Sequence, residues 1–344
     1  MFRGIREKRV IIYIGDKIIK DETMYIYETK LSKNSYVPTQ LEFLRAANRR
    51  ELLSTTQESH LYRNLEIGAQ GEQFVMDMLK KYGREHWVVL RNLWMDCQGI
   101  YESDILLLTS HTPYVFEVKN YDGLFEYKDY RCYVNGNRLK ENCIHQAQKG
   151  LINLQDICKG IDRSISAKGA LLMVGEHNDV RIQSKVEEIE LKTRYQIRNY
   201  IQEIAQQEEA NYQSRVDTPR LLNRFEKIET LNPFGPRKSY SSEEVLEGRL
   251  GIYCKNCGSY DLESSRKFVK CKYNHEELRR EAIIRTIHEF GMLTFDHDFM
   301  TRSDLSQFMN NQLSDPYLVD ILNNNFVKVQ HGKYAKYTNK KALY

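Results

Sequence analysis

The chain has 344 residues, and its 51 Lys and Arg residues against 47 Asp and Glu residues give a formal net charge of +4. Hydrophobic residues make up 41% of the chain and charged residues 28%, so the composition excludes a disordered chain and a polycation. No apolar stretch approaches the roughly 20 residues that a membrane span needs, and we therefore expect a cytoplasmic protein with no membrane contact. The apolar run at residues 10–14 is too short for a secretory signal and predicts a strand.

A compact α/β pattern extends from about residue 68 to about residue 182. Apolar residues recur at helical spacing over 72–82, and Gly83 follows as the predicted end of this helix. Three apolar runs predict strands at 88–94, 104–109 and 114–119. After them we expect an Asn-Gly hairpin over 130–140, a helix at 143–158, a buried strand at 170–174 and polar helices over 186–228.

Two acids and a lysine occur on the second and third of these strands. Side chains alternate between the two faces of a strand, so Glu117 and Lys119 share a face. A four-residue turn would place Thr109 opposite Tyr114, and Asp104 would then lie opposite Lys119 and diagonal to Glu117. Two carboxylates at such a diagonal distance, about 7–8 Å, can hold one hard cation, and an ammonium group beside them can stabilise negative charge. The alternative is a solvated strand face.

A third carboxylate, Glu72, lies on the first predicted helix. It shares the inward-facing stripe of Val75 and Leu79, where a carboxylate is costly unless a partner offsets its desolvation. Gly68 and Gly71, just upstream, would allow the backbone to approach its neighbours closely. The alternative is an acid that caps the first turn of the helix.

Three segments carry a resemblance to a known family. They are Gly68-Ala69-Gln70-Gly71-Glu72, Glu102-Ser103-Asp104-Ile105-Leu106-Leu107-Leu108 and Val115-Phe116-Glu117-Val118-Lys119-Asn120-Tyr121. Together they resemble the nuclease-related domain (NERD) family, a branch of the restriction-endonuclease-like PD-(D/E)XK superfamily, over about residues 66–180. The resemblance implies an α/β fold with a mixed sheet flanked by helices, in the order α-β-β-β-α-β, and metal-dependent cleavage of nucleic acid.

The resemblance also implies roles for individual residues. It gives Asp104 and Glu117 as metal ligands, Lys119 as the catalytic lysine, Glu72 as the helix acid that completes the metal site, and Gln146 as a site residue on the helix that follows. Gln146 could equally be a polar flank of that helix. This chain has Asn142-Cys143 where family members usually show Asn-Pro, and Ser103 where the superfamily name suggests proline.

A cluster of cysteines lies in the last third of the chain. Cys254 and Cys257 form a C-x₂-C knuckle, Cys271 follows after 13 residues, and His275 lies four residues further on. This spacing predicts a structural zinc site of the ribbon type with three cysteines and one histidine. The alternative is a degenerate ribbon that folds without metal. Four other cysteines are scattered and are predicted to be buried small apolar residues rather than disulfide partners: Cys97, Cys132, Cys143 and Cys158.

The C-terminal pattern is that of three helices followed by a hairpin. Helices are predicted at 276–290, ended by Gly291, at 303–309 and at 315–323, and the hairpin turns at His331-Gly332. This order is the outline of a winged helix-turn-helix, which could bind nucleic acid. The lysines that favour this use are Lys328, Lys333, Lys336, Lys340 and Lys341. Protein contact or simple packing is the alternative.

Taken together, the sequence predicts a DNA-binding Mg²⁺- or Mn²⁺-dependent nuclease, a hydrolase that cleaves phosphodiester bonds with metal-activated water and acts on DNA in preference to RNA. Zinc is expected to be structural. One rival is a non-catalytic nucleic-acid-binding protein on a nuclease-like scaffold. The other is a scaffold whose C-terminal domain recruits a protein partner.

The same patterns predict six segments along the chain. They are an N-terminal extension at 1–66, the nuclease-related core at 67–185, a helical segment at 186–230, a linker at 231–250, a zinc-ribbon-like segment at 251–276 and a winged-helix-like domain at 277–344.

Overall fold

A computed structural model describes residues 18–21, 24–27, 38–97, 99–210, 216–230, 232–236, 238–296, 299–332 and 334–339. The described residues form two compact units, the first within Met1–Leu31 and Ile67–Leu231, the second within Ser32–Glu66 and Asn232–Tyr344. The strand predicted at 10–14 and the lysines at 333, 340 and 341 lie outside the described residues. In the described part of the chain, no helix combines the length and apolar character that crossing a membrane requires. The finer division into six segments stays a prediction.

The described residues form nine helices and seventeen strands. The helices are α1 (Gln40–Arg49), α2 (Thr56–Tyr82), α3 (Cys143–Lys159), α4 (Arg194–Ala210), α5 (Thr218–Ile228), α6 (Ser242–Glu247), α7 (Arg279–Leu293), α8 (Arg302–Phe308) and α9 (Asp315–Asn325). The strands are β1 (Ile18–Asp21), β2 (Met24–Tyr27), β3 (Val88–Asp96), β4 (Ile100–Leu108), β5 (Pro113–Lys119), β6 (Gly123–Lys128), β7 (Arg131–Val134), β8 (Asn137–Arg138), β9 (Lys168–Met173), β10 (Asn178–Ile182), β11 (Ile189–Thr193), β12 (Leu262–Ser264), β13 (Phe268–Cys271), β14 (Glu276–Leu278), β15 (Met300–Thr301), β16 (Phe326–Gln330) and β17 (Lys336–Asn339).

The first unit is built on a mixed sheet of seven strands in the order β1-β2-β3-β4-β5-β9-β11. Strands β3, β4 and β5 pair antiparallel, whereas β5, β9 and β11 pair parallel. A smaller sheet has the order β10-β6-β7-β8. The α/β class with a mixed sheet flanked by helices is confirmed.

Both faces of the large sheet are covered by helices. Leu106 and Val115 belong to the apolar cluster that includes α3 and α5, whereas Leu107 and Phe116 belong to the cluster that includes α2 and α4. Residues 105–108 are therefore a continuous apolar run rather than an alternating one, as is typical of strands buried on both faces.

The pairing of β4 with β5 differs from the predicted pairing by two residues. Tyr114 lies opposite Leu107 rather than Thr109. The turn still has four residues but lies one residue earlier, at 109–112. There the Thr109 hydroxyl donates to the Thr112 carbonyl at 2.9 Å and accepts from the Thr112 N–H at 3.1 Å. A shift of two residues leaves every side chain on its predicted face, since the strand repeat is two.

The prediction of helices over 186–228 was wrong at its start. Ile189–Thr193 forms β11, which extends the large sheet beside β9, and only then do α4 and α5 follow. The short polar strand Ile-Glu-Leu-Lys-Thr alternates weakly, and its pairing with β9 rather than its own composition determines its conformation.

The second unit has its own apolar core, formed by α1 and by segments after residue 232. Strands β12, β13 and β14 form one antiparallel sheet, and a second has the order β15-β17-β16. The helix predicted from 276 begins at Arg279, because Glu276–Leu278 pairs with β13 as a strand. Gly291 does not end this helix, which continues to Leu293. A Cβ at Gly291 would lie only 2.8 Å from the Asn339 side chain, so the glycine allows β17 to pack closely.

Candidate active site and zinc site

The end of the β4–β5 ladder brings Asp104 against Glu117. The last recorded pair is Ile105 with Phe116, and continuing it by one residue sets Asp104 beside Glu117. At this point the Asp104 carboxylate accepts a hydrogen bond of 2.7 Å from the Val118 backbone N–H. This hydrogen bond holds the Asp104 carboxylate against the backbone between Glu117 and Lys119.

Burial and like charge act on Asp104 in the same direction. Burial raises its pKa well above the ordinary range and the Glu117 carboxylate raises it further, while the Val118 N–H and Lys119 oppose both effects. Two carboxylates held together in a buried setting bind either a proton or a cation to relieve their repulsion. This pair has the chemistry of a cation site.

Lys119 lies directly beside Glu117. Its Nζ is 2.8 Å from Glu117 Oε1, and 19% of its side chain is exposed. Burial lowers the pKa of Lys119, but the charge of Glu117 and its hydrogen bond outweigh burial and raise the pKa above its usual value. Lys119 is therefore an ammonium ion at neutral pH. In this state it can neutralise negative charge or orient water, but it cannot accept a proton.

Glu72 reaches the same region from α2. A Cβ at Gly71 would lie 2.8 Å from Asn120 Cβ, so glycine is what allows α2 to approach the end of β5. Asn120 Nδ2 also donates to the Ile67 carbonyl at 2.7 Å. The close approach predicted for Gly71 is confirmed, whereas the one predicted for Gly68 is wrong, because a Cβ there would meet nothing within 4 Å.

The Glu72 carboxylate lies 3.6 Å from the Arg91 guanidinium. Burial raises the pKa of Glu72, Arg91 and Asn92 oppose this, and the charge of Glu117 adds to it. Glu72 is therefore a buried, partly compensated acid within electrostatic range of Glu117 rather than an exposed helix cap.

The oxygen donors of these acids fit a hard divalent cation, since Mg²⁺ and Mn²⁺ prefer carboxylates and leave room for water and phosphate. In the described part of the chain, however, the carboxylate oxygens of Glu72, Asp104 and Glu117 do not form a three-ligand cluster. The Glu117 carboxylate pairs with the Lys119 ammonium group at 2.8 Å, and the Glu72 carboxylate lies 3.6 Å from the Arg91 guanidinium. The assignment of these three residues as ligands stays a prediction.

Gln146 lies in the first turns of α3. Its Nε2 donates to Glu141 at 2.7 Å, and its Oε1 is buried without a hydrogen-bond partner among the described residues. Among the described residues the amide thus bonds to Glu141 and makes no hydrogen bond to Glu72, Asp104 or Glu117. Its role at the site stays a prediction.

A fourth acid, Glu102, was not singled out from the sequence. It lies on β4 opposite Trp94, whose indole N–H donates to it. Burial raises the pKa of Glu102 to about 7, and the charges of Glu72 and Glu117 contribute. The spacing of Glu102 is the signal in the sequence. It lies two residues before Asp104, so the two side chains share a face of the strand.

We expect Glu102→Gln to stabilise the metal-free protein at pH 8 by about 2 kcal/mol, and by much less at pH 5. The folded-state pKa of Glu102 is raised, so its ionised form destabilises the fold, and stability is lost as the pH rises from about 4.5 towards 7. Glutamine keeps the acceptor for Trp94 but carries no charge. Denaturant unfolding at the two pH values measures the effect, with the exposed Glu85→Gln as control. An equal gain at both pH values would contradict this prediction.

The second unit holds a compact group of metal-binding side chains. The sulfur atoms of Cys254, Cys257 and Cys271 and a ring nitrogen of His275 all lie within 4.8 Å of one another. Cys257 Sγ is 3.6 Å from Cys271 Sγ, and His275 Nδ1 is 3.6 Å from Cys254 Sγ and 3.4 Å from Cys271 Sγ. A tetrahedral zinc ion with Zn–S bonds of about 2.3 Å separates its ligands by about 3.5–3.8 Å, so the cluster has the right size.

Two tight turns present these ligands. Gly258 has φ +70° and its N–H donates to the Cys254 carbonyl at 2.8 Å. Asn274 has φ +64° and donates to the Cys271 carbonyl at 2.8 Å. The second turn therefore uses an asparagine, which tolerates the left-handed region, and the ligand is the following His275. Four protein ligands leave no open position, so the cluster could bind zinc structurally but not catalytically.

The first unit has an α/β fold with a mixed sheet flanked by helices. Comparison with family models identifies it more closely: residues 67–173 match the model of the nuclease-related domain, NERD. The chain thus contains a nuclease-related domain over about a third of its length, and the resemblance found in the sequence is confirmed. Neither the curated proteins nor the solved structures gave a significant match.

Proposed function

We propose that this protein is a metal-dependent nuclease that hydrolyses phosphodiester bonds, with Asp104, Glu117 and Lys119 at its catalytic centre and Glu72 completing it. The observation that carries the proposal is the buried Asp104–Glu117 pair with an ammonium group 2.8 Å from one of its oxygens. It lies within the segment that matches a nuclease-related family.

Each side chain has a definite part in this chemistry. Asp104, Glu117 and Glu72 would hold Mg²⁺ or Mn²⁺, which supplies a Lewis acid that polarises the phosphodiester and makes water a better nucleophile. Lys119 would remain an ammonium ion beside Glu117. The ammonium group could then donate to the attacking water or to the phosphate oxygen on which negative charge develops.

The ionisation states favour catalysis over passive binding. A protein that only binds nucleic acid needs cations at its surface, whereas this site buries several acids that would repel phosphate. Such acids are useful only where a metal ion reverses the sign of the local charge. This argument favours the nuclease over the non-catalytic scaffold.

The second unit would supply targeting. The helices α7, α8 and α9 with the sheet β15-β17-β16 have the element order of a winged helix, and the zinc cluster precedes them. We propose that this part contacts nucleic acid, DNA in preference to RNA, through Lys328 and Lys336 on the hairpin. The second candidate is a protein partner. The exposed Val327 and Val329 of β16, the strand that also carries Lys328, would contact it.

A panel of labelled substrates tests the proposed function directly. Single- and double-stranded DNA and RNA are incubated with the full-length protein and Mg²⁺ or Mn²⁺, and with EDTA as control. We expect cleavage of at least one DNA substrate that EDTA abolishes. Salt-dependent binding of the same substrates without cleavage under any metal condition would support the non-catalytic rival.

A further inference from the structure

Two cysteines of the first unit lie in contact with each other. Cys132 is on β7 and Cys143 is the first residue of α3, and their sulfur atoms are 3.4 Å apart. Both are free thiols, and only 2% and 1% of their surfaces are exposed. This distance is close to sulfur–sulfur contact, so joining the two sulfurs requires little movement of the chain.

The start of α3 provides a distinctive environment for Cys132. Asn142 caps the helix by accepting from the backbone N–H groups of Ile144 and His145, at 3.1 and 3.3 Å. The Cys132 thiol donates to the same Asn142 Oδ1 at 3.2 Å. The backbone N–H groups of Cys143 and Ile144, at the start of α3, also bond to the Cys132 sulfur. N–H donors at the positive end of a helix stabilise a thiolate.

The two sulfurs also differ in acidity. The hydrogen bond from Cys143 lowers the pKa of Cys132, burial opposes this, and the backbone N–H groups of Ile144 and Cys143 lower it further. The pKa of Cys143 is raised by the same hydrogen bond, by burial and by the charge of Cys132. Because the backbone N–H groups of Cys143 and Ile144 bond to the Cys132 sulfur and not to that of Cys143, we assign Cys132 as the nucleophilic sulfur.

We propose that Cys132 and Cys143 are a modification site at which a small peroxide forms a reversible disulfide between β7 and the first residue of α3.

The reaction balances in two steps. The Cys132 thiolate attacks one oxygen of hydrogen peroxide, the O–O bond breaks, and sulfenic acid forms with loss of hydroxide, which a proton converts to water. The Cys143 sulfur then attacks the sulfenic sulfur, the S–O bond breaks, and a second water leaves with the proton of Cys143. Peroxide is the oxidant and is reduced by two electrons. A dithiol such as dithiothreitol reverses the reaction.

The location of the pair connects it with the candidate active site. Lys119 is among the charges that lower the pKa of both cysteines. Helix α3 packs against β5, the strand that carries Glu117 and Lys119. Formation of the disulfide would replace a thiolate by a neutral group within electrostatic range of Lys119. The modification itself does not depend on the proposed nuclease activity.

The experiment uses the full-length protein loaded with zinc, and peptide mapping reads each cysteine separately. After exposure to hydrogen peroxide, remaining thiols are alkylated and the protein is digested without reduction. We expect a Cys132–Cys143 linked peptide that lacks two hydrogen atoms and disappears with dithiothreitol. It should form at least about tenfold faster than any change at Cys158, which is equally buried and whose pKa burial raises to about 12.

Two serine variants separate the steps. Cys143→Ser should stop at the sulfenic acid of Cys132, which dimedone traps, whereas Cys132→Ser should give neither adduct nor link. The proposal is overturned if both thiols of the wild-type protein are recovered alkylated after a treatment that oxidises free cysteine. It is also overturned if Cys132 is over-oxidised without linking to Cys143. Because these readouts are masses, an inactive protein would still give a decision.

Discussion

Lys119→Ala should lower the rate of metal-dependent cleavage by about 10²–10⁴-fold, with little change in substrate binding. The ammonium group of Lys119 is 2.8 Å from Glu117 and remains protonated at neutral pH, so its proposed contribution is to charge that develops in the transition state. Such an interaction affects kcat rather than KM. Initial rates measured over a range of substrate concentrations separate the two.

The matched control is Lys168→Ala. Lys168 is an exposed lysine of the adjacent strand β9, where it donates to Gln207 at 3.0 Å, away from the acids. Its removal should leave the cleavage rate within about twofold of the wild type. Full activity in Lys119→Ala would place catalysis elsewhere in the chain and remove the basis for the proposed function.

Asp104→Asn should abolish cleavage through the same site and, in the absence of metal, stabilise the fold. Asparagine keeps an acceptor for the Val118 N–H but removes the charge that burial and Glu117 make unfavourable. We expect a gain of about 1–3 kcal/mol in the free energy of unfolding at pH 8. Asp179→Asn, at an exposed position of β10, is the control. Loss of activity together with a less stable protein would indicate damage to the fold instead.

Removal of zinc should strongly lower the stability of the second unit. The second unit has four ligand atoms, on two tight turns, whose spacing fits a tetrahedral zinc ion. Structural zinc in such clusters contributes directly to the free energy of folding. We expect purified protein to contain about one zinc per chain. Cys257→Ser should lose the metal and destabilise the second unit by several kcal/mol, on the order of 3–5.

Metal analysis and thermal unfolding measure this prediction. Cys97→Ser is a suitable control, since Cys97 is a half-buried free thiol of the first unit. It should retain both the zinc and the melting temperature. A folded wild-type protein without zinc, or a Cys257→Ser variant that melts as the wild type does, would support the ribbon that folds without metal.

Several parts of the fold could be predicted from local sequence. The apolar runs located β3, β4, β5 and β9, the helical stripe located the end of α2 at Tyr82, and the Asn-Gly pair located the hairpin of β7 and β8. These signals are strong because strand and helix periodicities differ and turns require particular residues. The order of the acids and the lysine marks the region that matches the family model.

Other parts depended on contacts between distant residues. The true pairing of β4 and β5 follows from the Thr109–Thr112 hydrogen bonds, which composition does not reveal. Asp104 and Glu117 nevertheless lie on the predicted face of the sheet, because a shift of two residues leaves each side chain on the same face. The scattered cysteines were predicted to be buried apolar residues, and Cys132, Cys143 and Cys158 are buried, but nothing in their spacing indicated that Cys132 and Cys143 touch.

By itself the sequence determined several of the core strands and helices, which side chains could serve a metal, and to which family the core is related. The tertiary structure alone decided that Glu72 meets Arg91 and that Glu102 lies within range of three other charged groups. The physical reason is that secondary structure follows from local periodicity and turn chemistry. The pKa values of the buried acids and of Lys119 follow instead from burial and from charges that only the folded chain brings together.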